Sequence, residues 1–544
     1  MSNDHARARI AENRQVFDGL IEEASRAVAR SRLRSAAVTL QTAARFACFN
    51  HPGVYRSLKL ESLAVEIGEH LATPQSSRLG FRSDVLHVLS VAYPTGGHTR
   101  LVWRWIENDE ARVHSVVLTG QQSLPIPKEL QQAVERSGGI ITKLGSTSSN
   151  PLTRATQLRR IASEGMGVVV LHIHPYDVIP LIAFAHLRVR VVFVNHADHV
   201  FWIGGAITSV LADIRPTGRA LSLGRRHFSE SDTVILPIPL RDPPKADRRQ
   251  ARTRLGLSED AVVILSIASS YKYAAPQGRH FIDIHRNFVI ANPKVNLIVV
   301  GPDCIGRWQE TSEETCGRLQ AVGIRRDVDS YYDAADIYVD STPFGSLTSL
   351  IDAGLRGLPV LALNESVAHS VLTSDDISLP MGMVQFSSRE AYIHELEALV
   401  ERPEHRREAS LILKDAISRD HLPPGWNRYL EDLFVMLESG TDVNRPPPLR
   451  LPENNIRKCD QVELALVDLH DASGHSVPLW KCQLHDAPLR PVLDRVRIVL
   501  SAPSGQRAKS LKFLLPDVLL SHAQVGWREL RRTASHSTSK RASE

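Results

Sequence analysis

The sequence predicts an α/β protein with two doubly wound domains in tandem, preceded by a helical segment. Short apolar runs rich in Val and Ile alternate with amphipathic stretches, and the runs fall into two groups along the chain. Continuous apolar strands separated by helices are typical of parallel sheets covered on both faces, so each group predicts one such sheet. Ahead of them, an Ala-, Leu- and Arg-rich segment has apolar residues in steps of three and four, which is typical of helices.

The composition narrows the class of protein. The chain has 544 residues, enough for three or four domains, and its 23% charged and 43% hydrophobic residues exclude fibrous, wholly disordered and small disulfide-bonded proteins. A net charge of +5 over this length does not indicate a nucleic-acid partner. The five cysteines form no CxxC pair, which fits a reducing compartment. With no secretory signal and no apolar run of the ~18 residues that span a bilayer, we expect a cytoplasmic protein, at most peripheral to a membrane.

Four segments follow from these patterns. We expect a helical module over residues 1–78, a first α/β domain over 79–240, a second over 256–440, and an extension of unknown role over 445–544. Between the α/β domains, Leu236–Arg254 holds four prolines followed by a charge run, which indicates a linker. In the extension, the runs VELALVDLH and RVRIVLSA predict short strands.

The most informative stretch runs from Asp336 to Leu363, where a strand leads into a loop and then a helix. Amides and the dipole at the start of a helix suit an anion such as a diphosphate, and nearby Ser and Thr hydroxyls can donate to phosphate oxygens. Asp352, about one turn into the helix, could accept hydrogen bonds from ribose hydroxyls. A plain crossover with Ser and Thr as helix caps is the alternative. The candidate binding residues are Gly345, Ser346, Leu347, Thr348, Ser349 and Asp352.

This stretch resembles the donor-binding segment of GT-B glycosyltransferases, which pair two Rossmann-like domains around a nucleotide-sugar cleft. It is similar to the family-four pattern of a loop, a glycine and a helix ending in E-A-x-x-x-G-x-P-V. It is equally similar to the family-forty-one form of protein O-GlcNAc transferase and adhesin N-glucosyltransferase, in which Asp replaces that Glu. Family four also has an acid eight residues earlier, where this chain has Phe344, so the Asp-bearing form is favoured. The resemblance covers residues 261–363 well and 85–199 loosely.

Lys272 follows an apolar strand in the sequence SSYKY. The resemblance implies a cation near this point on the donor's diphosphate, where it would stabilise the leaving group. A surface lysine is the alternative reading. Arg279 and Arg307 are weaker candidates for the same charge.

Two further features precede the strand at Asp336. The resemblance implies that Gly323 and Arg325 lie near the nucleobase. The acidic pair in Asp327–Asp329 follows two arginines and opens a predicted helix, so we interpret it as a helix cap rather than a metal site.

In the first domain, the sequence YPTGGHTR lies between a strand and a helix. Gly96 and Gly97 would let the backbone approach a ligand at the helix start, and His98 follows them. The segment resembles the glycine-rich first loop of GT-B acceptor domains, and a tight turn is the alternative. The sequence has neither the six-residue phosphate loop nor a Walker lysine, which disfavours nucleotide triphosphate hydrolysis.

A polar cluster, NHADHVFW, follows the third strand of this domain, and the segment 172–177 ends the preceding strand. His196, Asp198 and His199 could ligate a metal, contact the sugar as bases, or cap loops. GT-B enzymes often carry a His here and need no metal. We therefore expect His196 to contact the sugar, Asp198 to deprotonate an acceptor if one must be deprotonated, and no metal or other cofactor to be bound.

Together these features predict a glycosyltransferase that moves a sugar from a nucleotide-sugar, such as a UDP- or GDP-sugar, to a glycan, lipid-linked or protein acceptor. An inactive sugar-nucleotide-binding scaffold and a GT-B epimerase are the alternatives. The pairs Arg159–Arg160 and Arg225–Arg226 would suit an anionic lipid surface at the inner membrane. The sequence does not decide whether the anomeric configuration is retained or inverted.

Overall fold

The computed structural model describes residues 3–72, 83–94, 96–145, 150–163, 167–274, 280–365, 372, 374–439, 461–472 and 474–515. These residues form two compact units. The N unit comprises residues 11–211 with the described parts of 436–455 and 477–544. The C unit comprises 212–435 with the described parts of 1–10 and 456–476.

Helices and strands largely alternate between residues 85 and 386, and the described segments before and after are helical. The helices are α1 Asn3–Ala29, α2 Leu33–Phe49, α3 Leu58–Glu69, α4 Gly97–Asn108, α5 Lys128–Arg136, α6 Pro151–Ser163, α7 Val178–Ala183, α8 Pro216–Arg225, α9 Arg248–Leu255, α10 Phe281–Ala291, α11 Arg307–Glu314, α12 Asp329–Ala334, α13 Leu347–Leu355, α14 Arg389–Glu401, α15 Pro403–His421, α16 Gly425–Ser439, α17 Gln461–Ala472, α18 Leu479–Asp486, α19 Val492–Ser501 and α20 Arg507–Ser510. The strands are β1 Val85–Leu89, β2 His114–Leu118, β3 Ile141–Lys143, β4 Val168–His172, β5 Arg190–Asn195, β6 Val210–Asp213, β7 Thr233–Ile235, β8 Val262–Ile267, β9 Val295–Val300, β10 Leu319–Ala321, β11 Ile337–Val339, β12 Val360–Leu363 and β13 Val384–Phe386.

The strands form two parallel sheets, which confirms the predicted fold class. Their orders are β3-β2-β1-β4-β5-β6-β7 and β10-β9-β8-β11-β12-β13. In each sheet the chain builds outward in one direction, then crosses back and continues in the other. This reversal creates a switch point between β1 and β4 and another between β8 and β11, where loops diverge at the carboxyl ends of the strands. Helices α1 to α3 confirm the predicted helical module.

The strands predicted in the C-terminal extension are wrong, because both segments are helices. VELALVDLH lies in α17, and RVRIVLSA lies mostly in α19. A short apolar run cannot by itself distinguish a strand from a buried helix. Leu464 and Val467 have helical spacing, and both pack in a small buried cluster with Ala6 and Ile10.

The charge run of the predicted linker is also structured. It contains α9, whose Arg252 is fully buried. The Arg252 guanidinium donates to Asp336 Oδ2 at 2.7 Å and to the carbonyls of Ser258, Glu259 and Ala261. Arg252 therefore joins α9 to the segments that lead into β8 and β11.

Among the described helices, none is long and apolar enough to cross a membrane.

Candidate functional site

The C unit places the predicted diphosphate-binding elements at its switch point. Strands β8 and β11 are neighbours, with Ile264 opposite Ile337 and Leu265 opposite Tyr338. The short turn Ser270–Tyr273 follows β8, and the loop to α13 follows β11. In open α/β sheets, ligands bind in the crevice at this position. The sequence motif and the topology therefore indicate the same place.

Lys272 lies at the start of α13. Its Nζ donates a hydrogen bond to the carbonyl oxygen of Gly345 at 2.7 Å and lies 4.7 Å from the centroid of the Phe344 ring. Burial lowers the pKa of Lys272 from 10.5 to about 8, with Asp340 acting to raise it and Arg215 to lower it. The ammonium group therefore sits where the predicted diphosphate would need a cation.

Asp340, which the sequence analysis did not single out, organises this loop. Its Oδ1 accepts hydrogen bonds from the amides of Ser341 and Ser346, each at 2.8 Å. Burial raises the pKa of Asp340, although these bonds and Lys272 act to lower it. Gly345 has no room for a side chain, because a Cβ there would lie 2.5 Å from the Ser374 nitrogen and 2.8 Å from Asp340 Oδ2.

The first turn of α13 leaves amides open. The Ser349 amide donates to the Ser346 carbonyl at 2.9 Å, whereas the amides of Leu347 and Thr348 have no acceptor within the described residues. The Ser346 hydroxyl donates to Ser349 Oγ at 3.3 Å. Asp352 lies further along α13 and is buried. Two amides and two hydroxyls thus share this turn, which is chemistry suited to phosphate oxygens.

The remaining predicted residues of the C unit lie apart from Lys272. Arg325 is exposed on the loop after β10, two strands from β8, and its Nε donates to the Tyr331 hydroxyl at 3.1 Å. Arg307 pairs with Asp283, and Arg279 lies outside the described residues. The capping interpretation of the acidic pair is confirmed for Asp327.

Asp327 accepts hydrogen bonds from the amide of Ser330 at 3.4 Å and from its hydroxyl at 2.9 Å. These bonds lie at the beginning of α12.

The N unit has its own polar cluster at the switch point between β1 and β4. The buried Asp177 accepts hydrogen bonds from the hydroxyls of Ser90 at 2.6 Å and Thr119 at 2.5 Å. Ser90 Oγ in turn accepts from the His174 amide at 2.8 Å. This network, which the sequence analysis missed, joins the loops that follow three neighbouring strands.

Two predicted histidines meet beside that network. The rings of His98 and His196 lie 4.4 Å apart. His98 Nε2 donates to the His172 carbonyl at 2.8 Å, and His196 Nδ1 donates to the Val194 carbonyl at 3.2 Å. Since a carbonyl only accepts, the second nitrogen of each neutral ring is left as an acceptor. Burial is the main cause that lowers the pKa of His98 to about 3 and that of His196 to about 4, so both rings are neutral near pH 7.

The other predicted residues of the N unit have distinct surroundings. Asp198 is buried, and its Oδ1 accepts from His199 Nδ1 at 3.3 Å. Gly96 has a φ of +103°, which favours glycine, and Gly97 begins α4. Tyr93, which was not predicted as a site residue, is exposed, and its hydroxyl lies 3.3 Å from His174 Nε2.

A buried chain of histidines runs across β4, β1 and β2. His87 Nδ1 lies 3.0 Å from His172 Nε2, and His87 Nε2 lies 3.0 Å from His114 Nδ1. Burial lowers the pKa of His87 and His172 well below the ordinary value. The sequence has a single His in each of these three apolar strands, which hints at the row of histidines, but the pairing of the rings depends on strand register.

Within the part of the polypeptide that the structure describes, no group of three or more His, Cys, Asp or Glu residues is placed to hold a metal.

Each arginine pair expected to suit a lipid surface has one member that is buried. Arg159 and Arg226 are buried, and Arg159 Nη1 donates to the Gly68 carbonyl at 3.0 Å. Arg225 Nε forms an ion pair with Glu463 at 3.0 Å. One arginine of each pair is therefore packed inside the protein, whereas Arg160 is exposed.

No protein-family model and no curated protein sequence matches this chain. Among solved structures, a glycosyltransferase from Rickettsia africae is similar with a TM-score of 0.52 and 11% identity, over 66% of this chain and 100% of that one. HepE from Anabaena in complex with UDP and glucose has a TM-score of 0.47 and 12% identity, over 66% of this chain and 100% of that one. An O-GlcNAc transferase variant from Thermobaculum terrenum has a TM-score of 0.47 and 16% identity, over 79% of this chain and 85% of that one. The chain therefore has the fold of GT-B glycosyltransferases, as its sequence resemblance implied.

Proposed function

We propose that this chain is a glycosyltransferase that takes a sugar from a nucleotide-sugar bound by the C unit, without a metal ion. The observation that carries the proposal is the position of the Lys272 ammonium at the open first turn of α13, at the switch point of the sheet. A UDP- or GDP-sugar is the expected donor.

The C unit would act on the leaving group. As the bond between the anomeric carbon and the diphosphate breaks, negative charge accumulates on the diphosphate. The Lys272 ammonium and the amides of Leu347 and Thr348 would stabilise that charge, since they are already oriented before the reaction. The Ser349 hydroxyl, which accepts from Ser346, would donate to the same oxygens, and Asp352 would bind the ribose.

The N unit would bind the acceptor. An acceptor hydroxyl could donate to the open nitrogen of His196 or His98, because both rings are neutral. A pKa of about 4 makes His196 a weak base, so its contribution would be orientation more than proton removal. Asp198, predicted as the stronger base, bonds to His199 and would have to act beside it.

We propose a membrane-associated acceptor, because α19 exposes an apolar face with basic neighbours. Val492, Leu493, Val496 and Leu500 are exposed with helical spacing. The exposed charged side chains of the described segment 492–515 are all basic: Arg497, Arg507, Lys509 and Lys512. Apolar side chains flanked by basic ones are typical of segments that bind anionic membrane surfaces.

Sedimentation with phosphatidylglycerol vesicles tests the membrane proposal. We expect the natural protein to bind the vesicles in low salt, and we expect this binding to be lost in high salt and in Leu493→Glu. The control is Leu411→Glu, which changes another exposed leucine in the same way and should leave binding intact. Equal binding of both variants, or no binding of the natural protein, would contradict a membrane-associated acceptor and favour a soluble glycan or a protein.

Calorimetry with UDP, GDP and ADP tests the donor site. We expect one nucleotide to bind, with binding weakened in Lys272→Met and Asp352→Asn but unchanged in Lys294→Met, an exposed lysine elsewhere in the C unit. If none of the three binds, the proposed donor site is wrong. Binding without transfer from any nucleotide-sugar would favour the inactive scaffold, an alternative that Phe344 in place of a first acid leaves open.

A further inference from the structure

The C-terminal extension reaches the candidate donor site through the end of α17. Gly474 has a φ of +65°, a left-handed conformation that ends helices and turns the chain back. The amides of His475 and Ser476 then donate to the His470 carbonyl at 2.8 and 3.2 Å. This turn fixes the direction in which His475 leaves the helix.

Helix α17 itself is anchored within the C unit. Leu464 and Val467 are buried against Ala6 and Ile10, and the adjacent Glu463 is the partner of Arg225 in the ion pair described above. The position of His475 is therefore set by a packed helix rather than by an isolated loop.

His475 packs on the turn that carries Lys272. The His475 and Tyr271 rings lie 4.2 Å apart with an interplanar angle of 49°. Tyr271 also contacts the Phe344 ring edge-on at 5.8 Å, and Phe344 is the ring against which the Lys272 ammonium lies. Three rings thus connect α17 to the cation at the start of α13.

We propose that His475 is a positioning residue of the donor site, so that the C-terminal extension is part of the nucleotide-binding apparatus. This inference rests on the proposed function. Backbone hydrogen bonds also hold the Ser270–Tyr273 turn, but among the described residues the ring contacts of Tyr271 are those with Phe344 and His475. By holding Tyr271, His475 keeps the backbone of the turn, and hence Lys272, in place for the diphosphate.

Substitution of His475 distinguishes ring packing from other roles. Loss of one ring contact in His475→Ala should weaken binding of a nucleoside diphosphate about two- to tenfold. His475→Phe keeps a ring and should restore the affinity, and Gly474→Val should resemble His475→Ala because it disfavours the left-handed turn. His405→Ala, which removes a histidine paired with Glu395 elsewhere in the C unit, should bind like the natural protein.

Hydrogen exchange gives a readout that does not require any nucleotide. The amides of Ser270–Tyr273 should exchange faster in His475→Ala than in the natural protein or in His475→Phe, with no change in melting temperature. Unchanged affinity and exchange in His475→Ala would overturn the inference. Equal weakening in the Ala and Phe variants would also overturn it, since the imidazole would then act through its polar atoms.

The two proposals can fail separately. If the natural protein binds a nucleotide and Lys272→Met weakens that binding, the donor site stands whatever His475 does. If no nucleotide binds, the donor site fails, and the exchange rates alone decide whether His475 holds the turn.

Discussion

Raising the pH from 7 to 9 should weaken binding of a nucleoside diphosphate by about tenfold through Lys272 alone. Burial lowers the pKa of this lysine to about 8 in the protein without ligand. Its side chain is then about nine-tenths protonated at pH 7 and about one-tenth protonated at pH 9. If only the ammonium form binds the diphosphate, the affinity falls as the pH rises through 8, and binding near pH 8 takes up a proton.

Calorimetry at pH 7, 8 and 9 measures this slope, and buffers with different ionisation enthalpies measure the proton uptake. Lys272→Arg keeps the charge at every pH and should show no lysine-dependent slope. Titration of the nucleotide itself is common to both proteins, so the difference between their slopes isolates Lys272. The outcome that would refute this reasoning is an identical slope in the natural protein and in Lys272→Arg.

Three other predictions concern the framework of the C unit. Arg252→Met should lower the free energy of unfolding by about 3–5 kcal/mol in urea, because it removes the buried one of the two guanidinium partners of Asp336 and the donor to three carbonyl groups. A loss below about 1 kcal/mol would contradict this. The buried His421 donates to Asp376 at 2.8 Å, and despite burial that partner raises the pKa of His421. The stabilisation from this ion pair is therefore fully present below the ordinary pKa of histidine and is lost as the pH rises through the raised pKa. Urea unfolding should show that the difference in free energy of unfolding between the natural protein and His421→Gln shrinks as the pH rises. A difference that stays constant with pH would argue against this role of His421. Gly345→Ala should lower both nucleotide affinity and melting temperature, because the loop has no room for a Cβ; unchanged values would show that the loop can shift.

The local part of the donor site was predictable because it lies in one continuous stretch. A strand, a loop and a helix start follow one another from Asp336 to Leu363, and hydrophobic patterning predicts each of them. Lys272 was predicted only through the family resemblance, since nothing in SSYKY distinguishes it from a surface lysine. The structure places its ammonium at the Gly345 carbonyl, although its role remains a prediction.

The extension shows where patterning fails. The apolar runs at Leu464 and Val496 fit a strand or a helix equally well, and the structure has helices at both. Length alone does not resolve this ambiguity, because short buried helices and short buried strands contain the same residues. What separates them is the packing of the buried side chains, here Leu464 against Ala6 and Ile10, and Val499 against Leu484 and Ala502.

Hydrophobic periodicity and turn residues were sufficient to predict the alternation of helices and strands, the two α/β groups and the helical module. They reflect local preferences for backbone conformation and for which face of an element is apolar. Contacts between distant segments were not accessible in this way. The approach of His475 to Tyr271 and the burial of Arg159 and Arg226 depend on how complete elements pack. Burial and pairing are properties of that packing, and the same charged side chain can face water or fill the interior according to its neighbours.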